Sequence, residues 1–346
     1  MTEALPKYYL LTGAGFSRNW GGWLAAEAVE YLLGAPEVDE PLRQLLWRHY
    51  RGGGFEATLG ELQDQYMRRG DTLSQRQLTA FQNAIGRMFG AMDQAFVSTT
   101  FEFQRDDERL VRTFLVKFDA IFTLNQDLLL ERHYLNANVR LRSHPRGWIG
   151  WQIVGVKPER RATEPFIVPG TENAGVWVPT GDIDLAPSLQ PYFKLHGSSN
   201  WRDDKGRIIL VMGNNKQGAI AGQDLLRRLT EQFRHCLLSQ PSRLMVIGYS
   251  FNDEHINDIL YEAAGRRQTK LFIIDPSGVG VLDKNASHQI PTRHRLVAEL
   301  GPHVIGASRR TLREIFGGDH VEHSKVMNFF PSSWLPRSRP WPYLNS

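Results

Sequence analysis

One cysteine, Cys236, stands in 346 residues. A single thiol builds neither an internal disulfide nor a four-cysteine zinc module, so a cross-linked scaffold and a structural zinc ribbon are both excluded. No run of about eighteen apolar residues occurs, and no segment reads as a membrane-spanning helix. The N-terminus lacks a basic stretch leading into an apolar core and a small-residue cleavage site, so the cytoplasm is the expected compartment. There is no Walker A sequence, the histidines show no metal-ligand spacing, and no Asp/Glu cluster of the metal-nuclease kind is present. Neither charge sign dominates: 41 Lys and Arg against 37 Asp and Glu leave a net charge of +4. The pairs Arg227-Arg228, Arg266-Arg267 and Arg309-Arg310 read as solvated helix faces rather than as a surface for direct nucleic-acid binding.

Near the N-terminus stands Tyr8-Tyr9-Leu10-Leu11-Thr12-Gly13-Ala14-Gly15-Phe16-Ser17. Its apolar half predicts a short buried strand. Gly13 and Gly15 let the backbone turn sharply and let a ligand come close to the main chain. With the helix expected over 24–33, the turn offers N–H groups and a positive dipole end, which together make a phosphate site. The same residues also suit an ordinary strand-to-helix turn. As a dinucleotide fingerprint the stretch is incomplete, because Arg18 stands where a third glycine is required. No acidic residue closes a second strand about twenty positions later.

Helical spacing predicts helices over 41–50, 55–69 and 75–97, the last with Leu78, Phe81, Ile85, Met88, Phe89 and Met92 on one face. Apolar strands are expected at 118–124, 192–195, 243–247 and 270–274, one arm of a small hairpin at 207–212, and helices over 128–134, 224–238, 255–264 and 311–316. Segment 135–190 reads as irregular and partly β, and the Pro-rich end, 331–346, as extended. This alternation implies an α/β chain with a Rossmann-like open parallel sheet and a helical insertion forming a smaller lobe. The expected organisation is a single domain: a Rossmann-like core of 1–34, 116–134 and 191–320, a helical insertion at 35–115, an irregular insertion at 135–190, and a C-terminal tail at 331–346.

Polar residues fall at particular places in this scheme. Segments 13–17, 125–127, 196–198, 248–250 and 275–277 each lie just past the C-terminal end of an apolar strand. In an open α/β sheet those ends share one edge, where ligands bind. Each residue also has a plainer reading. Asn125 and Asp127 suit a helix N-cap, His196 a satisfied core position, and Asp275 a turn before Pro276. Asp253 and His255 read as the cap and first turn of the next helix.

Gly13-Ala14-Gly15-Phe16-Ser17, Thr123-Leu124-Asn125-Gln126-Asp127, Lys194-Leu195-His196-Gly197 and Gly248-Tyr249-Ser250 stand in the order and strand context of sirtuins, and the chain resembles that family. The continuations Arg18-Asn19-Trp20-Gly21-Gly22-Trp23 and Phe251-Asn252-Asp253 are more similar to the bacterial sirtuin-like NAD hydrolases of antiphage defence than to protein deacylases. Deacylases carry a four-cysteine zinc module after the His-Gly motif, which Cys236 alone cannot build, and a shorter spacing than Asp127 to His196.

The resemblance implies NAD+ as substrate and no metal. It implies that Asn125 positions water or the nicotinamide ribose, that Asp127 holds the carboxamide, and that His196 is the general base. Gly13, Ala14, Gly15 and Ser17 would meet phosphate or ribose. Gly248 and Ser250 would line the phosphate–adenosine side, with Asp275 on the adenosine ribose. The expected activity is NAD+ glycohydrolysis to nicotinamide and ADP-ribose by the NAD-depleting effector of an antiphage, abortive-infection system. Two other classes stay open: a non-catalytic sensor of NAD or ADP-ribose, and a nuclease or scaffold subunit. Because free depletion of NAD would kill the host, the resemblance also implies gating by homo-oligomerisation or a partner, a HerA-type ATPase ring before a short Argonaute.

Overall fold

The apolar run that opens the chain becomes the central strand of a parallel sheet. In the computed structural model, which describes residues 6–135, 147–159, 175–213, 216–283 and 295–334, this strand is β1, Lys7–Thr12. The others follow in chain order: β2 Ala120–Thr123, β3 Gly150–Ile153, β4 Val156–Pro158, β5 Trp177–Pro179, β6 Leu189–Lys194, β7 Gly197–Arg202, β8 Ile208–Leu210, β9 Ser242–Ile247, β10 Lys270–Ile274 and β11 Val304–Ser308. Seven of them form one sheet in the order β11-β10-β9-β1-β2-β6-β3, and every pairing in it is parallel. Helices cover both faces, so strands such as β2 and β9 read as near-continuous apolar runs instead of alternating. The open parallel α/β sheet expected from the sequence is the observed fold.

The four predicted helices of the N-terminal third are present as Ala25–Leu33, Glu40–His49, Gly54–Arg69 and Thr72–Val97. On the last, Phe81, Ile85, Met88, Phe89 and Met92 are buried as the helical spacing requires, while Leu78 is only partly so. Their apolar stripe belongs to the same continuous core as the sheet, so this lobe is seated on the strands and not hung from them.

Three differences from the sequence reading have physical causes. The segment expected as irregular and partly β does supply strands, but one of them, β3, joins the main sheet as its edge, paired with β6; its short length and its tryptophans hid a parallel edge. His196 does not end its strand system. Gly197 takes φ +76 and turns the chain into β7, which pairs antiparallel with β8 in a second sheet of order β4-β5-β7-β8. Residues 332–334 form a 3-10 turn, and the rest of the expected extended tail lies outside the described residues.

Beneath the loop after β2 lies a buried ion pair. Lys194 Nζ is 2.6 Å from Glu131 Oε1, and the two side chains are 0% and 1% exposed. The same ammonium donates to the carbonyl of Asp127, so the end of β6 pins the 125–127 loop through one charged group. Among the described residues no helix is long and apolar enough to cross a membrane.

Candidate functional site

From β1 the chain builds outward to β2, β6 and β3, then crosses back to lay β9, β10 and β11 on the other side of β1. The loops leaving β1 and β9 therefore diverge from a topological switch point, where open α/β sheets form their ligand crevice. A cleft of about 1410 Å³ lies there, larger than the roughly 300–1,000 Å³ of ordinary small-molecule pockets and roomy enough for an extended dinucleotide.

Nine of the ten residues expected at the site line this cleft: Gly13, Ala14 and Gly15 after β1, Asn125 and Asp127 after β2, His196 after β6, Gly248 and Ser250 after β9, and Asp275 after β10. Ser17 does not. It is buried behind the wall, where its hydroxyl accepts a hydrogen bond from Asn125 Nδ2 at 3.0 Å. That bond holds the Asn125 amide in place from behind the cleft wall.

The glycine turn also differs from expectation. Gly13 N–H donates to Ile247 O, Gly15 N–H to Gly248 O, and Phe16 N–H to Gly13 O, so three of its donors are used within the protein. A four-residue helix, Ala14–Ser17, comes between the turn and the expected helix, which is present as Ala25–Leu33. The glycines are required because the loops after β1 and β9 pack backbone on backbone. A Cβ on Gly15 would meet Gly248 Cα at 2.7 Å. Positive charge at the cleft comes instead from side chains that include Arg18, Arg51, Arg310 and Arg313, of which Arg18 is paired with Glu27 and Arg310 with Glu314 and Asp319; arginines of this kind suit a diphosphate.

The plainer readings of Asp127 and Asp275 are seen in the structure, while Asn125 bonds Ser17 and caps no helix. Asp127 Oδ1 accepts the Leu129 N–H at 3.1 Å, at the start of the helix Leu129–His133. Asp275 Oδ1 accepts the Ser277 N–H at 2.7 Å, the turn expected before a Pro-Ser step.

A group of residues that spacing did not reveal gathers around His196. His196 is 3% exposed, and its Nε2 lies 3.0 Å from Nε2 of His255, 59 positions away. Asp253, read as a helix cap, does occupy the N-cap position of Glu254–Arg267, but its side chain does not cap. It pairs instead with Lys216 at 2.8 Å, and Lys216 also reaches Glu56 at 2.8 Å on the helical lobe. Sequence signals for this network were an Asp-x-His step just past a strand and a lone lysine on a short helix, both of which resemble ordinary helix ends.

Burial pushes the His196 imidazole down to about 3; Lys216 and His255 add to the fall and Asp253 opposes it. Burial also lowers His255, again with Asp253 opposing. For Asp253, burial raises the carboxyl, but His196, Lys216 and His255 outweigh it and hold it below the usual range. His196, Asp253 and His255 present ligand atoms within 4.8 Å of one another, a donor set that suits zinc and its neighbours. Against a dication stands the Lys216 ammonium, already bound to the Asp253 carboxylate.

These depressed imidazoles make stability depend on pH. His196 and His323, lowered chiefly by burial to about 3 and about 4, stay neutral in the fold while the unfolded chain takes up protons near pH 6.5. The unfolded state thus binds more protons between about pH 6.5 and about pH 4, and stability falls as pH drops through that window. The thermal midpoint should be lower near pH 5 than near pH 7.5; a midpoint that holds or rises on acidification contradicts the buried neutral histidines.

A switch-point cleft on an open parallel sheet defines a Rossmann-like domain. A model of the SIR2-like domain matches residues 119–297, more than half of the chain, and the chain belongs to the SIR2-like family. Members of that family are NAD-dependent enzymes. The matched span takes in Asn125, Asp127, His196, Gly248, Ser250 and Asp275 and leaves out the glycine turn at 13–17. No curated protein matches the chain in sequence.

Proposed function

We propose that the chain is an NAD+ glycohydrolase. The observation that carries this reading is the sharing of one cleft by Asn125, Asp127 and His196 with the loops after β1 and β9, in a SIR2-like chain whose single cysteine builds no zinc module. In the reaction the bond between C1′ of the ribose and the nicotinamide nitrogen breaks, and water adds to the oxocarbenium-like carbon. Nicotinamide leaves with the bonding pair, the water loses a proton, and ADP-ribose is the second product. The protein must hold the amide, orient the water and favour the developing positive charge. Asn125, fixed by Ser17, is suited to orienting the water or the ribose hydroxyls. Asp127 is suited to the carboxamide, and its negative charge favours the cationic sugar. His196 lines the cleft where the proton is released and is the group there to receive it, with burial lowering its basicity.

The same reading places the protein as the NAD-depleting effector of an antiphage system, held inactive until it forms a homo-oligomer or meets a HerA-type ring. Nicotinamide release from NAD+ by the purified chain, alone and with the neighbouring-gene product, tests it. Intact NAD+ under both conditions would remove the hydrolase reading. The low basicity of His196 favours one alternative, a sensor that binds NAD without cleaving it. A sensor keeps its cellular effect when Asn125 or His196 is replaced by Ala, and a hydrolase does not.

A further inference from the structure

A buried imidazole with Nε2 against another imidazole's Nε2 cannot act alone. At 3.0 Å one of the two nitrogens must carry the hydrogen and the other must accept it, so the rings fix each other's tautomers. Nε2 of His196 is committed to His255, and no described residue hydrogen-bonds its Nδ1, the nitrogen left for substrate. Nδ1 accepts a proton only if His196 carries its own hydrogen on Nε2 and donates it to His255.

We propose that His255 is the positioning residue of this site: it holds His196 as the Nε2–H tautomer and takes that proton as His196 receives another on Nδ1. The inference rests on the glycohydrolase reading. The proton leaves the attacking water for Nδ1 of His196. The Nε2 hydrogen then moves across to Nε2 of His255, whose own hydrogen is on Nδ1, and the new imidazolium lies beside the Asp253 carboxylate. When product leaves, Nδ1 of His196 releases its proton to bulk water and the Nε2 hydrogen returns, restoring both tautomers.

The surroundings fit this transfer. His196 is almost wholly buried, where a lasting positive charge is costly, whereas His255 is half-buried and can carry one. Asp253 in the loop after β9 and Asp258 on the same helix both favour a charged His255, and Lys216 on the helix Lys216–Ala221 opposes it. Glu56 on the helical lobe offsets part of the Lys216 charge through their ion pair. With Lys216 positive and Asp253 and Glu56 negative, the cluster has one negative charge to spare for the proton in transit. The arrangement repeats the logic of a base oriented by a third group, with an imidazole where a carboxylate is more usual.

The test uses the full chain and two variants, His255→Ala and His255→Gln. Nitrogen-15 NMR of the histidine rings reads the tautomer without any need for turnover. His196 should be protonated on Nε2 in the natural sequence, mixed in His255→Ala, and again on Nε2 in His255→Gln, whose amide oxygen accepts that hydrogen. In turnover, His255→Ala should lose about a hundredfold in kcat with NAD+ affinity within about twofold. His255→Gln should recover part of that loss, with a displaced acidic limb in its pH–rate profile. Unchanged kcat and profile in His255→Ala, or equal tautomers in all three proteins, overturns the proposal. So does stoichiometric Zn2+ uptake by the natural sequence that His255→Ala abolishes, which would assign the pair to a metal. A natural sequence that leaves NAD+ intact overturns the relay, yet tautomers fixed there and lost in His255→Ala would trace the failure to the hydrolase reading and not to the pairing.

Discussion

The His196→Ala protein is expected to release nicotinamide about a hundredfold to ten-thousandfold more slowly than the natural sequence, the range spanned by loss of a general base. The side chain enters the cleft from the end of β6, while the arginines suited to the diphosphate and the glycine turn belong to other loops. NAD+ affinity should therefore change little, and the loss should fall on kcat. One complication has to be separated from this. His196 is 3% exposed, so its removal also leaves a void and frees Asp253 from one neighbour. Thermal unfolding distinguishes the effects: a moderately lowered midpoint with NAD+ binding retained isolates the chemical loss. His196→Ala protein that folds, binds NAD+ and still turns it over at the natural rate would end the assignment of the base. Asn125→Ala should give a similar loss by another route, since it empties the amide that Ser17 holds at 3.0 Å without touching the imidazole pair.

What made His196 visible in the sequence was its place after an apolar strand, in a series of strand ends that had to share an edge. That rule depends only on chain direction in a parallel sheet, and the edge is where the structure puts Asn125, His196, Gly248 and Asp275. Long helices were equally legible, because Phe81, Ile85, Met88, Phe89 and Met92 repeat at helical spacing and are buried together. The partners of those residues were not legible. His255 lies 59 positions from His196, Glu56 belongs to a different lobe from Asp253, and Lys216 joins them across both distances. Spacing rules describe neighbours along one element, and these contacts arise only when the lobe closes on the sheet. The same limit explains the glycines. A turn with little steric hindrance and a turn pressed against another backbone look alike in sequence, and only the second forbids a Cβ.

That distinction sets the largest stability effect expected in the chain. Gly248→Ala places a methyl 2.3 Å from Gly15 C and 2.4 Å from Phe16 N, backbone atoms of the short helix that follows β1. The clash cannot relax by a side-chain rotation. Either the β1 and β9 loops separate, breaking the Gly15 N–H to Gly248 O bond of 3.0 Å, or the sheet register gives way. The left-handed φ of +64 at this position adds only about 1–2 kcal/mol; the overlap dominates, and the total should reach about 4 kcal/mol or more. Against a typical stability of about 5–15 kcal/mol, much of the protein should be unfolded or insoluble. Gly206→Ala is the control that separates the two causes. Gly206 takes φ +73 in the turn before β8, with nothing within 4 Å of a Cβ, so it carries the conformational cost alone, about 1–2 kcal/mol. Chemical denaturation of both variants decides the matter. A Gly248→Ala midpoint no lower than that of Gly206→Ala would mean that the loops after β1 and β9 do not meet backbone to backbone, and the floor of the cleft would have to be rebuilt from other contacts.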